Sequence, residues 1–307
     1  MNKKEKFSEK NILVISVIAN FLLAGIALYY GIKTGSEAIM LDGYYSFAGF
    51  ILALISLWVV KIVLKPESIT FNFGYSVIEP LFNLVKGLLI LAVVLSSSII
   101  AIKLLLTGGN TPSFGESIIY FFISTVTCLA LTILFYHKNK NAPSPIIHVE
   151  YKNWLIDTVI SASIGVAFLT SYFLQTTSLA SLIKYTDPVV TLLIIVLIIK
   201  LPLTTIKTGV KEILLSAPDK DVVAKIDKVI KDVISKYDYK GYNFKTSKTG
   251  REIYLLIHIQ VVNKDDELYM LKAQDKVRGQ IKLELNKQFD HVKLDIAFSE
   301  NKVSYEF

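Results

Sequence analysis

The chain has one cysteine, Cys128, in 307 residues, so it can form no internal disulfide and holds no paired-cysteine zinc site. Charge is also scarce. Asp, Glu, Lys and Arg make up 19% of the sequence, against roughly 25% in a soluble globular protein. The formal net charge of +7 is too mild and too scattered for a nucleic-acid footprint. Phosphate-binding runs of the GxxxxGK[ST] and GxGxxG types are missing, as is a GxSxG elbow, and no residue set reads as an enzyme's constellation. There are no tandem repeats and no low-complexity segment. What the chain has instead is apolar length: 52% hydrophobic residues and a mean hydropathy of +0.50, nearly all of it before Leu215. That excludes a disordered or fibrous chain and points to a membrane protein.

A helix needs about 20 largely apolar residues to span a bilayer, because lipid offers the backbone no water. Six runs meet that need: Asn11 to Ile32, Ala38 to Val60, Pro80 to Leu106, Ser117 to Tyr136, Tyr151 to Leu174 and Pro188 to Ile206. In the sixth, Lys200 and Pro202 fall where the helix is expected to leave the bilayer. The first run is expected to be a span and not a cleaved leader, since no small-residue cleavage site follows it. Basic residues alternate between the loops. Lys3, Lys4, Lys6 and Lys10 precede the first run, Lys61 and Lys65 follow the second, and Lys138 and Lys140 follow the fourth. The opposite loops hold little beyond Lys33 and Lys184. The positive-inside rule therefore predicts a multi-pass protein of the cell (plasma) membrane with both termini cytoplasmic.

After Ser216-Ala217-Pro218 the pattern changes. Val222, Ile226, Val229, Ile230 and Val233 recur at helical spacing. Tyr237 to Lys245 reads as a strand and Lys248-Thr249-Gly250 as a turn. Ile253 to Val261 alternates as a second strand. Met270 to Leu285 has helical spacing again, and Val292 to Phe298 alternates. The order α-β-β-α-β predicts a small α+β domain with helices on one face of a sheet.

Ionisable groups inside a span cost at least a few kcal/mol each, so they are functional candidates. Asp42 reads either as a helix-end carboxylate bonding a neighbouring helix or as part of a transport path. Asp157 is the deepest carboxylate. Glu150 and Asn153 share its helix face, being three and four residues apart along it, and a row of oxygen ligands suits a divalent cation. Glu79 and Asp187 adjoin Pro80 and Pro188 at the starts of spans, where capping of their own helices explains them. In the tail, His258 and Asp295 sit on strands opposite the apolar positions, as a metal pair or a solvated surface pair.

These pieces resemble the cation diffusion facilitator family over nearly the whole chain. Gly35-Ser36-Glu37-Ala38-Ile39-Met40-Leu41-Asp42-Gly43 is similar to that family's entry to the second span. Phe73-Gly74-Tyr75, with Glu79 and Asn83 to Gly87, is similar to its entry to the third, and Asp187-Pro188 to the opening of the sixth. Val210 to Pro218 resembles its link to a cytoplasmic domain. The resemblance implies a six-helix all-α transmembrane domain over 1–213 and a ferredoxin-like α+β cytoplasmic domain over 214–307. It implies a homodimer that exports a divalent metal cation by proton exchange. The partners are then the lipid bilayer, divalent cations and protons, with no cofactor and no nucleic acid. The family's central site draws two ligands four apart from the second span and two from the fifth. Those positions are Tyr45 and Gly49, then Asn153 and Asp157, with Asp42 and Glu150 as the acidic residues one turn outside. His258 and Asp295 fall at or near positions that ligate metal in some members. Only Asp157 keeps an ionisable ligand of the central four. Three readings stay open: a different set such as Asp42, Tyr45, Asn153 and Asp157; a harder, more loosely held substrate; or a scaffold or metal sensor that keeps the fold without transport.

Overall fold

A computed structural model describes residues 3–141, 145–178, 180–237, 239–261, 271–289 and 291–299. The first part is a series of long helices: α1 (Lys3–Thr34), α2 (Glu37–Val63), α3 (Ile78–Leu106), α4 (Phe114–Asn141) and α5 (Pro145–Leu174). A single turn, α6 (Ala180–Ile183), precedes α7 (Thr186–Ile198) and α8 (Lys200–Ile213). Among the described residues five stretches are long and apolar enough to cross a membrane: Val14–Thr34, Ile78–Leu106, Phe114–Lys138, Asn153–Leu174 and Thr186–Ile213. The 27-residue α2 is a further long helix. The last stretch runs through both α7 and α8, past the point at Lys200 where the sequence predicted an exit. Pro202 sits in the first turn of α8, where a missing N–H costs little.

The helices carry apolar side chains on their outer faces as well as between them. On α3, Leu81, Val85, Leu88, Leu95 and Ile99 are exposed while Ile90, Val94 and Ala101 are buried. A helix apolar all round belongs in lipid. Helix contacts inside are made by small and hydroxyl side chains, as lipid-embedded packing favours. Ser124 Oγ lies 3.2 Å from Ser161 Oγ, and Thr132 Oγ1 lies 3.1 Å from Thr158 Oγ1, stitching α4 to α5. A Cβ at Gly43 would stand 3.0 Å from the Leu28 backbone nitrogen, so that glycine lets α2 approach α1.

The later part has α9 (Lys220–Ile234), β1 (Tyr239–Thr249), β2 (Glu252–Val261), α10 (Leu271–Asn286) and β3 (Val292–Ser299). The sheet order is β1-β2-β3, with the first pair antiparallel and the second parallel. The predicted α-β-β-α-β order is the observed one. Ile226, Ile230 and Val233 of α9 and Val277, Ile281 and Leu285 of α10 share one core with Leu255, Ile257, Ile259 and Ile296. Both helices therefore cover the same sheet face. The first strand is longer than its sequence pattern. It continues through Lys248 and Thr249, and only Gly250-Arg251 form the loop, Thr249 pairing with Glu252. Gly250 has φ +58°, the conformation a two-residue hairpin demands at its first position. Phe244 is the one large apolar residue from Asn243 to Thr249, so alternation there left little trace.

The chain divides into two compact units, residues 1–56 with 86–204 and residues 57–85 with 205–307. Inside the second, the loop after α2 is strapped to the sheet. Lys293 Nζ donates to Glu67 Oε1 at 2.7 Å and to the Phe73 carbonyl at 2.9 Å. The Tyr254 hydroxyl lies 3.2 Å from Ser76 Oγ, and Arg251 Nε is 3.3 Å from Glu79 Oε2. Glu79 thus faces the hairpin tip, beyond the capping of its own helix. Burial acts to lower the Lys293 pKa, but Glu67, Glu252 and Tyr254 outweigh it, and the net shift is upward. The ammonium stays charged across the physiological range. We expect Lys293→Ala to raise protease cleavage between residues 65 and 75 several-fold, read by limited digestion of the purified chain. An unchanged digest would mean that the loop holds without this cation.

Candidate cation site

Within the first unit the helices leave a cavity of about 300 Å³. Its wall follows the helical repeat. Asp42, Tyr45, Ser46 and Gly49 form one face of α2, and Trp154, Asp157 and Ser161 form one face of α5. Helix α4 adds Ser124 and Cys128, and α1 adds Asn20. Two carboxylates from helices far apart in sequence therefore look into one space. Asp42 is half-buried, and the hydroxyl of Tyr120 donates to its Oδ2. Tyr120 is itself 1% exposed, so it fixes the Asp42 carboxylate from the bundle side. Trp154 is anchored by its indole N–H, which donates to Ser16 Oγ at 3.0 Å.

The other expected residues fall differently. Asn153 is exposed one turn before Asp157, and Asp157 is exposed as well, so the deepest carboxylate among the described residues is not Asp157, as the sequence suggested, but Asp187; the wall of α5 is carried by Trp154, Asp157 and Ser161. Glu150 belongs to α5, and its side chain lies outside the described residues. His258 is half-buried on β2 and Asp295 exposed on β3. Leu256 pairs with Asp295 and His258 with Ala297, which puts His258 and Asp295 on one sheet face, diagonally placed. Among the described residues no three His, Cys, Asp or Glu side chains converge as a metal site.

The wall contributed by α4 went unread in the sequence. Ser124 and Cys128 of that wall follow Tyr120 at four-residue steps, but Ser117, Thr125, Thr127 and Thr132 lie on the same helix, so the stripe does not stand out in the sequence. Asp187 is the second surprise. It is fully buried and binds the start of α2, 150 residues away, instead of capping α7. Its Oδ1 accepts from Ser36 Oγ at 2.6 Å and from the Ala38 N–H at 3.2 Å. Its Oδ2 accepts from the Glu37 N–H and from Asn110 Nδ2, both at 2.9 Å. A carboxylate there satisfies backbone donors that no turn of α2 can satisfy.

Residues 13–214 match the cation efflux transmembrane domain. The chain belongs to the cation efflux family. It is similar to the manganese efflux system protein MneP of Bacillus subtilis, 23% identical over 297 residues that cover 95% of each chain. It is also similar to an uncharacterized transporter of Methanocaldococcus jannaschii, 22% identical over 292 residues, covering 93% of this chain and 97% of that one. The cation efflux family is one of transporters, and with its apolar helices this member is a multi-pass membrane protein.

Proposed function

We propose that the chain exports a divalent metal cation in exchange for protons, as a homodimer in the plasma membrane with both termini cytoplasmic. In this reading α2 crosses as a sixth span. Residues 1–213 form the transport domain, and 214–307 a cytoplasmic domain of ferredoxin-like fold. The observation that carries the reading is the pair Asp42 and Asp157 on one cavity wall inside the family-defining helices. A pure scaffold has no use for two carboxylates at a cavity in lipid, since each costs at least a few kcal/mol to keep there.

The mechanism follows from charge. A divalent ion entering the bilayer loses bulk water, and fixed carboxylates are the main compensation available. Asp157 binds the cation, with Asp42 as its partner across the cavity and Tyr45 as a neutral oxygen beside them. When the bundle opens outward, protons displace the cation from the carboxylates. The bundle then returns with protons bound, and the cycle closes. Glu150 and Asn153, two turns and one turn before Asp157, lead the ion along α5 toward that point. In the tail, His258 and Asp295 form a peripheral pair through which bound metal adjusts transport. Similarity to a manganese efflux protein over 95% of the chain supports a metal as the cargo.

The test is accumulation of cations in inside-out vesicles carrying the protein, with an acid interior and a panel of divalent ions. Uptake of at least one ion that collapses with the pH gradient is the expected result. Vesicles that take up none of the panel, with correctly assembled protein, would leave only the scaffold or sensor.

A further inference from the structure

The loop between α2 and α3 turns its most apolar side chains outward. Ile69 is 98% exposed and Phe73 75%, and Leu64 at the loop's start is exposed with them. A single exposed apolar residue is ordinary, but a group of them on one short loop marks a contact surface. The loop is too well tied for this exposure to come from slack chain. The Phe71 N–H donates to Ser68 Oγ at 3.1 Å. The Ser68 and Gly74 N–H groups both donate to the Phe71 carbonyl, at 3.2 and 3.0 Å. The Tyr75 hydroxyl lies 3.2 Å from Ser68 Oγ, and the Phe71 and Tyr75 ring centroids are 4.7 Å apart. Gly74, at φ +81°, supplies the tight bend. Ile69 and Phe73 therefore project from a fixed knot, and burying them elsewhere costs little further ordering.

We propose that this loop is an interfacial anchor: Ile69 and Phe73 enter the headgroup layer of the cytoplasmic leaflet, and Lys61 and Lys65 meet the phosphates of anionic lipid. The proposal rests on the reading above in that α2 crosses as a sixth span with the loop on the cytoplasmic side. The bilayer is the occupant because the chain is already at its surface. The span formed by α3 begins at Ile78, five residues after Phe73, and α2 ends at Val63, next to Leu64. Apolar insertion alone holds a protein weakly at a membrane, and a basic flank is the usual second signal. Lys61 and Lys65 are exposed at that flank. The carboxylates around the loop do not cancel them, because each is matched by a cation of the tail. Glu67 and Glu252 lie 2.7 and 3.4 Å from Lys293 Nζ, and Glu79 lies 3.3 Å from Arg251 Nε. The negative surface potential of an anionic leaflet attracts such lysines. Lys293 also donates to the Phe73 carbonyl, and the Tyr254 ring meets the Phe73 ring edge-on at 6.4 Å. Lipid bound at the loop therefore also holds the starts of β2 and β3 near the bilayer.

The experiment places a nitroxide label on Ile69→Cys in the purified full chain, in vesicles of equal parts phosphatidylcholine and phosphatidylglycerol. Cys128 is buried, so the unsubstituted chain is the blank for labelling. Ile69 is almost wholly exposed, so its replacement removes no contact that the fold needs. Oxygen, which concentrates in lipid, is expected to relax this label severalfold more than a water-soluble nickel chelate does. A label on Leu283→Cys, exposed on α10, is expected to show the reverse. A label on Leu54→Cys, exposed on α2, reads the span itself. Oxygen reaching the Leu54 position and chelate the Ile69 position overturns the anchor and leaves the sixth span standing. Chelate reaching both sinks the sixth-span reading too. Shielding of the Ile69 label from both reagents, with dipolar broadening between labels, makes the patch a contact between two copies and overturns the lipid partner. In phosphatidylcholine alone the oxygen excess is expected to fall, and Lys61→Gln with Lys65→Gln is expected to bring the same fall in the mixed vesicles. No change in either case overturns the contact between the lysines and anionic lipid.

Discussion

Vesicles carrying Asp157→Asn are expected to accumulate divalent cation more slowly than the parent by on the order of a hundredfold or more. Asparagine keeps the shape and one oxygen, but it removes the negative charge and the titratable proton together. At an effective dielectric near 20, a unit charge pair at close range is worth about 4 kcal/mol, and the cation carries two charges. Even a heavily hydrated ion therefore loses enough binding to slow transport by that factor. Proton exchange should fail in step, so the variant's residual flux should no longer respond to a pH gradient. The helical fold should survive, because Asp157 stands on the wall of a cavity and the substitution leaves no void. Asp42→Asn should do less. Asp42 is near the start of α2 and already shares its charge with the Tyr120 hydroxyl, a bond that the amide oxygen of Asn can still accept. Parent-like uptake by Asp157→Asn, with the pH dependence intact, would place the ion path away from this cavity.

The helices were legible because lipid imposes a single demand, an unbroken apolar length: of the six runs read that way, five recur among the described residues as stretches long and apolar enough to cross a membrane, and the remaining one is the long helix α2. The tail was legible because helix and strand have different periods. Ile226, Ile230 and Val233 on one side, and Leu255, Ile257 and Ile259 on the other, fall on those periods and meet in one core. The end of β1 was not, because Asn243 to Thr249 offers little apolar alternation and is set by pairing with β2. The candidate site was half legible. Asp42 and Asp157 stand out as charges in apolar runs, and both line the cavity. Ser124, Cys128 and Tyr120 carry no charge, so nothing in an energy argument about lipid singles them out. They became visible only when α4 was placed beside α2 and α5. Asp187 shows the opposite error. Its neighbour Pro188 suggested a local cap, and local rules cannot see a partner 150 residues away.

That long-range contact carries the second large effect. Asp187→Ala is expected to destabilise the protein by about 3 kcal/mol or more, because several buried donors lose their acceptor at once. The Ser36 hydroxyl, the Glu37 and Ala38 N–H groups and the Asn110 amide all converge on this carboxylate. No water is at hand to replace it, since Asp187 and Ser36 are 0% exposed and Glu37 is 9% exposed. Asp187→Asn is the sharper probe. Each carboxylate oxygen accepts two donors, so an amide in either orientation points its NH₂ at two other donors. The Asn variant should therefore melt nearly as low as the Ala variant, about 10 °C below the parent on the scaling for chains of this size. A merely space-filling residue would predict the reverse, with Asn close to the parent and Ala alone impaired. Thermal unfolding of the purified chain in detergent, with Asp157→Asn as the comparator, separates the two. Should Asp187→Asn melt with the parent, the carboxylate is not what holds the start of α2 in place.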